Sequence, residues 1–379
     1  MKISKMFLVI PLLGIMTQSF GCAVEPKTTE TIVSFEKTIS VTPDDTYQYG
    51  AFCRVNYLES SSEFFVTFGG SQPDIQKEQA GERIGGAEGG NGYSYKIYDE
   101  DFSYTEENGI VHEGGGDAAS VFAEGYYYFL AGSPNSNWAI EKIDPSTWEV
   151  VEKVEIYTDE EHEALNDQML AYVNGYLIAS SLYNEEGETN QQKTDATKGY
   201  ATHNRIFTLD LEEVDYFVLD DTPHINGSYL VYVDGVYNYI TSTAFFGDII
   251  VMQYDEDWNY LGVKTIEENG NWAQGALYDE ATERFYVTYL SRAHGEGGVV
   301  TGSKNGVIMG VFDNEWNLIE NIEVAVFDDN SNTLPGRPSV IMQNDKLYVS
   351  YDLSTRDPQT HEENKDWQCE VSIYEIDNS

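Results

Sequence analysis

Basic side chains are scarce in this sequence: 21 Lys and Arg stand against 65 Asp and Glu, a net charge of −44 over 379 residues. A surface of that sign repels phosphate backbones and anionic headgroups, which argues against nucleic acid or an anionic membrane surface as partner. Cysteine is almost absent, with three residues, too few for a disulfide framework or a CxxC redox or metal motif. Proline is sparse as well, at 10 residues. No segment is apolar for long enough to cross a bilayer. Serine nucleophile elbows, P-loops and haem-attachment motifs are also missing. What is abundant is aromatic: 28 Tyr and 17 Phe within a 41% hydrophobic chain. That composition supports a sizeable core and favours strands joined by tight turns. The acidity suits a solvated extracellular surface, a saline medium or cation binding, and by itself does not choose among them.

The first 21 residues read as a signal peptide. Lys2 and Lys5 precede an apolar run over residues 6–16, followed by Ser19-Phe20-Gly21-Cys22. Gly21-Cys22 resembles the bacterial lipobox, with Ser19 standing where that motif favours leucine. The resemblance implies an exported protein anchored to a membrane through a lipid on Cys22, with residues 22–30 as a polar tether. Two cysteines remain, Cys53 and Cys369, either a disulfide or two buried thiols.

Residues 31–379 read as six copies of one unit, two strands joined by a tight turn, a variable loop, then two more strands. Asn174-Gly175 and Asp234-Gly235 mark first hairpins, because such turns need φ > 0 at both central residues. Second hairpins are marked by an aspartate after an apolar strand: Asp99, Asp144, Asp210, Asp255, Asp313 and finally Asp377. All six aspartates read as turn formers that accept backbone N–H bonds. The sixth copy stops at Asp377 without a fourth strand, and a lone strand over residues 31–42 reads like the fourth strands of other units. The expected fold is therefore all-β: a six-bladed β-propeller of four-stranded antiparallel blades. Its ring closes when the N-terminal strand completes blade 6.

The long loops, over residues 70–92, 183–204, 291–306 and 354–366, all fall on one face, where a rigid scaffold presents variable loops for binding. The six histidines (His112, His162, His203, His224, His294 and His361) are placed in loops of that face. None shares a ligand spacing with another, so they read as solvated. Counting back seven residues from each first turn gives Asp117, Asp167, Gly227, Trp272 and Arg337 around the channel mouth, with the first unit blurred near Phe52. His224, Asn226 and Gln274 lie beside them.

These residues make a candidate ligand site for a saccharide or a cation. Trp272 would stack on a sugar face, and carboxylates with backbone carbonyls can hold Ca²⁺. Asp117 and Asp167, on adjacent blades, are alternatively a pair for glycoside hydrolysis. In that case Arg337, with no partner arginine in view, would hold a substrate carboxylate. An acid–arginine network that merely plugs the channel is the competing structural reading. The segment from Ile143-Asp144 to Val151 resembles the repeat of surface propellers of the YVTN type. The strand–turn–strand over residues 276–286 resembles carbohydrate-active propellers. These resemblances imply an exported propeller and name no catalytic residue.

Overall fold

Four antiparallel strands make each repeat, and each repeat is one sheet. The computed structural model describes residues 32–42, 51–69, 93–112, 119–131, 138–157, 169–183, 201–219, 227–243, 247–268, 270–293, 304–327, 333–356 and 363–377. Blade 1 comprises β2 (Ala51–Leu58), β3 (Glu63–Gly69), β4 (Tyr93–Tyr98) and β5 (Tyr104–His112). Blade 2 comprises β6 (Ala119–Ala123), β7 (Tyr126–Ala131), β8 (Trp138–Asp144) and β9 (Glu149–Tyr157). Blade 3 is β10 (Met169–Val173), β11 (Tyr176–Tyr183), β12 (Ala201–Phe207) and β13 (Glu213–Leu219). Blade 4 is β14 (Ser228–Val233), β15 (Val236–Ser242), β16 (Ile249–Tyr254) and β17 (Tyr260–Glu267). Blade 5 runs through β18 (Gly270–Asp279), β19 (Arg284–Ala293), β20 (Lys304–Phe312) and β21 (Leu318–Phe327). Blade 6 has β22 (Thr333–Gln343), β23 (Lys346–Arg356) and β24 (Glu363–Ile376) from the C-terminal end, and its fourth strand is β1 (Val33–Ser40). That strand pairs with β24 from Val33↔Ile376 to Ser40↔Glu370. The Asp377 amide adds a bond to the Ile32 carbonyl, so Asp377 joins the closing strand rather than forming a turn. No helix occurs among the described residues.

The core is divided six ways, one apolar cluster in each gap between blades. Blade 1 meets blade 2 through Phe65, Tyr127 and Phe129, for example, and blade 6 meets blade 1 through Phe64, Val371 and Ile373. The presence of the sixth cluster is what makes the arrangement a ring. In blades 1, 2, 4 and 5, the aromatic three or four residues after a turn aspartate wedges these gaps. Trp148 stacks on Tyr95 at 3.7 Å, Trp258 on Tyr237 at 4.2 Å and Trp316 on Phe285 at 4.0 Å. Phe102, Trp148, Trp258 and Trp316 all adopt positive φ, between 57° and 62°. The turn aspartate sustains that conformation by bonding the amides ahead: Asp255 Oδ1 accepts from Asp257 N (3.0 Å) and Asn259 N (2.8 Å), and Asp313 does the same.

Blade 3 departs from the expected pattern. There Thr208, not Asp210, is the turn former: its Oγ1 accepts from Glu212 N at 3.2 Å and Leu211 takes the positive φ. Asp210 instead accepts a bond from Lys142 of blade 2 at 3.0 Å. The apolar strand simply ends two residues earlier than its hydrophobic pattern suggests.

The propeller, residues 32–379, is one compact unit, separate from residues 1–31. The signal peptide, the tether and Cys22 all lie outside the described residues. Cys53 and Cys369 are bonded to each other across the seam between blades 1 and 6, with their Cα atoms 5.6 Å apart.

Candidate functional site at the ring axis

Inner strands carry the apolar residues that hold the ring, so a charged side chain on one of them needs a reason. Three inner strands share a defect at the same place. The ladder slips between Ala51 and Arg54 in β2, between Asn271 and Gly275 in β18, and between Gly336 and Ser339 in β22. At register-equivalent positions Phe52, Gly227 and Arg337 are left-handed, with φ of 57°, 76° and 46°. The last ladder pair of blade 5 is Asp279↔Arg284, matching Val233↔Val236 in blade 4. The fifth equivalent is therefore Ala273, and Trp272 sits one residue out of register. The expected count slipped because blade 5 has a longer first turn. Arg337 also lies inside β22 rather than at its start, because that ladder continues beyond the bulge to Thr333.

The kinks bring polar and charged groups from three blades together. Arg54 donates through Nη1 to the Cys53 carbonyl (2.9 Å) and the Arg337 carbonyl (3.1 Å), and through Nη2 to Gln274 Oε1 (3.0 Å). Arg337 donates through Nη1 to Asp352 Oδ2 at 3.0 Å and lays its guanidinium over the Phe52 ring at 4.2 Å. Asp352 is fully buried, and its Oδ2 also accepts from the Phe52 amide at 2.9 Å. Its Oδ1 has no hydrogen-bond partner among the described residues.

Glycines make this approach possible. A Cβ on Gly227 would lie 2.2 Å from Gln274 Cγ, and one on Gly275 would lie 2.6 Å from the Ser339 Cα. Only a bare backbone lets the Gln274 amide reach Arg54 and the inner strands of blades 5 and 6 converge.

Arg54 is deep in the ring yet keeps part of its surface accessible. Burial holds its pKa below the ordinary arginine value, against the opposing pull of the Asp352 carboxylate and of Tyr127, Tyr229 and Tyr93. Around it the phenols are pushed up, Tyr127 to about 12, by burial that outweighs hydrogen bonds to Ser120 and Thr67 and the Arg54 charge. The axis thus holds two guanidiniums against one carboxylate, with neutral phenols about them. A guanidinium has five N–H donors, and three of Arg54's are used, so two remain for a ligand.

Of the expected site residues, the structure brings Gln274 and Arg337 together. Asp117, Asp167, His224 and Asn226 lie outside the described residues, as does the Trp272 side chain. Arg54 and Asp352 are additions. Arg337 therefore does have an arginine neighbour, Arg54. A signal for both was present: each is the one charged residue within an apolar stretch, Ala51-Phe52-Cys53-Arg54-Val55 and Val349-Ser350-Tyr351-Asp352-Leu353.

Two histidines expected in loops are instead strand residues. His112 ends β5 and its Nδ1 bonds Glu141 Oε2 at 2.7 Å, while His203 in β12 bonds the Tyr216 hydroxyl. Glu141, nearly buried, also accepts from Lys153 at 2.9 Å. Burial would raise its pKa, but the bonds from His112 and Lys153 win and hold it below the usual carboxylate value. Among the described residues no three His, Cys, Asp or Glu side chains gather as metal ligands.

No family model and no curated protein matches this chain. Among solved structures it is similar to a neuraminidase-like protein of A/little yellow-shouldered bat/Guatemala/060/2010, at 12% identity and TM-score 0.48, covering 91% of this chain and 99% of that one. It is similar also to Kuenenia stuttgartiensis hydrazine synthase, at 11% identity and TM-score 0.47, covering 83% of this chain and 79% of that one. A member of the DUF4221 family from Bacteroides vulgatus is 13% identical with TM-score 0.47, covering 92% and 98% respectively. These likenesses concern the fold alone, and the six blades rest on the strand pairing above.

Proposed function

We propose that this protein is an exported, lipid-anchored propeller that binds a polar ligand, an acidic saccharide, at the axis of its ring. The carrying observation is Arg54: a deep, partly accessible guanidinium with two N–H donors unspent. A planar fork of donors at low dielectric favours a carboxylate. The Gln274 amide is the group that reads neutral hydroxyls. Two guanidiniums sharing one carboxylate make the axis locally positive, which supports an anionic group over a cation. Export and the anchor follow from the lysines, the apolar run and Gly21-Cys22 at the N-terminus.

The test is a glycan array of matched acidic and neutral saccharides on the folded protein, beside Arg54→Lys and Gln274→Ala. Acidic glycans are expected to bind, and Arg54→Lys to weaken them at least about tenfold, because an ammonium keeps the charge and loses the fork. Equal binding of acidic and neutral glycans, or no binding by folded protein, refutes the reading. Release of reducing ends, abolished in Asp117→Asn, would replace it with glycoside hydrolysis.

A further inference from the structure

The opposite end of the blades, where the hairpin turns lie, carries a cavity of about 470 Å³ at the closure seam. It exists only because β1 completes blade 6 beside blade 1. Its walls are Glu36 and Lys37 of β1, the blade 1 turn Glu100-Asp101, and Lys346 and Tyr348 of β23.

The cations here are already committed. Lys346 Nζ bonds Glu36 Oε2 at 2.5 Å and lies 3.7 Å from Glu375, while Lys37 donates to the Asp101 carbonyl at 3.1 Å. By contrast, the side-chain carboxylate of Asp101 and that of Glu100 have no partner among the described residues. A pair of exposed acids is common on this surface and would mean little alone. The second observation is Tyr348, which is 3% exposed and lines the cavity. Its ring is fixed by Phe64 at 4.5 Å and Phe102 at 5.3 Å, and its hydroxyl has no hydrogen-bond partner among the described residues. Burial, followed by the charges of Glu36, Asp101 and Glu100, pushes this phenol up to about 12, so it stays neutral and can accept a hydrogen bond.

We propose that this cavity is a second binding site, independent of the axial one, for a small aliphatic primary amine. Its ammonium would donate to the Glu100 and Asp101 carboxylates and to the Tyr348 hydroxyl. An ammonium has three donors and these walls offer three free acceptors. The methylene chain would lie along the edges of Phe102 and Tyr348. A site that needs N–H donation rejects a quaternary ammonium of equal charge, whereas the general attraction of an acidic surface does not.

The experiment is calorimetric titration of the full chain with cadaverine and, separately, choline at physiological salt, with thermal melting to verify that each variant is folded. One saturable cadaverine site is expected, with no matching choline isotherm. Tyr348→Phe, which changes no charge, should weaken cadaverine at least about tenfold, the worth of one hydrogen bond to a charged donor. Glu100→Gln with Asp101→Asn should remove the site. Choline binding as well as cadaverine, no saturable isotherm, or an unchanged affinity in Tyr348→Phe would each overturn the proposal.

Discussion

Removing the Cys53–Cys369 bond should destabilise the propeller at the seam between blades 1 and 6. The bond spans a sequence separation of 316 residues, nearly the whole propeller. Chain-entropy arithmetic for a loop of that length gives about 5.7 kcal/mol of stabilisation through the unfolded state. For a unit of about 350 residues, unfolding entropy near 2.1 cal/mol/K per residue converts this to a fall in Tm of about 8 °C. The figure is a ceiling, since residual contacts in the unfolded chain reduce it. The double variant Cys53→Ala, Cys369→Ala is the right perturbation, because both side chains are fully buried and a serine would bury an unpaired hydroxyl. Denaturant unfolding of the oxidised protein, the protein in reductant and the double variant would give the shift directly. The effect should reach the axis too. The Cys53 carbonyl accepts from Arg54, and Asp352 pairs with Cys369 in the β23–β24 ladder. Axial ligand affinity should therefore fall together with stability. Identical midpoints for oxidised and reduced protein would refute the account, since either the bond or its closure of the ring would then be wrong.

Gly227→Ala should cost about 1–2 kcal/mol for a left-handed alanine, more where its Cβ displaces Gln274, and should weaken the axial ligand as Gln274→Ala does; wild-type affinity would refute the cradle. Trp316→Phe removes the Nε1 bond to Asn238 across blades 4 and 5 (3.1 Å) and part of the stack on Phe285. About 1–2 kcal/mol should be lost in urea unfolding, with the fold retained. The Glu141 carboxyl is held below its ordinary value, so its stabilisation is complete above the unfolded carboxylate pKa of about 4.3 and is lost as pH falls through the lower folded value. Glu141→Gln should flatten that acid limb of stability against pH, and an unchanged limb would place the acid sensitivity elsewhere. Thr208→Asp should restore the turn acceptor found in other blades and raise stability by about 0.5 kcal/mol, seen as a higher midpoint.

Most of the architecture was legible from local pattern. Six turn signals, alternating apolar strands and an unpartnered strand near the N-terminus specify blades and their closure, because turn chemistry and two-residue periodicity act over a few residues. Counting along a repeat was less secure where turn length varied. In blade 5 it pointed to Trp272 instead of Ala273, and in blade 3 to Asp210 instead of Thr208, since register is set by the ladder and not by spacing alone. The axial cluster was half visible. Arg337 emerged from the count and Gln274 as a polar neighbour of a counted residue, while Arg54 and Asp352 hid in strands whose pattern reads as core.

Sequence by itself therefore determined that the chain forms acidic four-stranded units, how many there are, and which end supplies the missing strand. Only the tertiary structure decided which charges meet. Arg54 and Asp352 are 298 positions apart, and Tyr348 and Glu100 are 248 apart. No short-range rule connects such pairs; they become neighbours because closing the ring sets blade 6 against blade 1. Each site then depends on groups that closure leaves unpaired: two N–H donors at the axis, and a tyrosine hydroxyl at the seam.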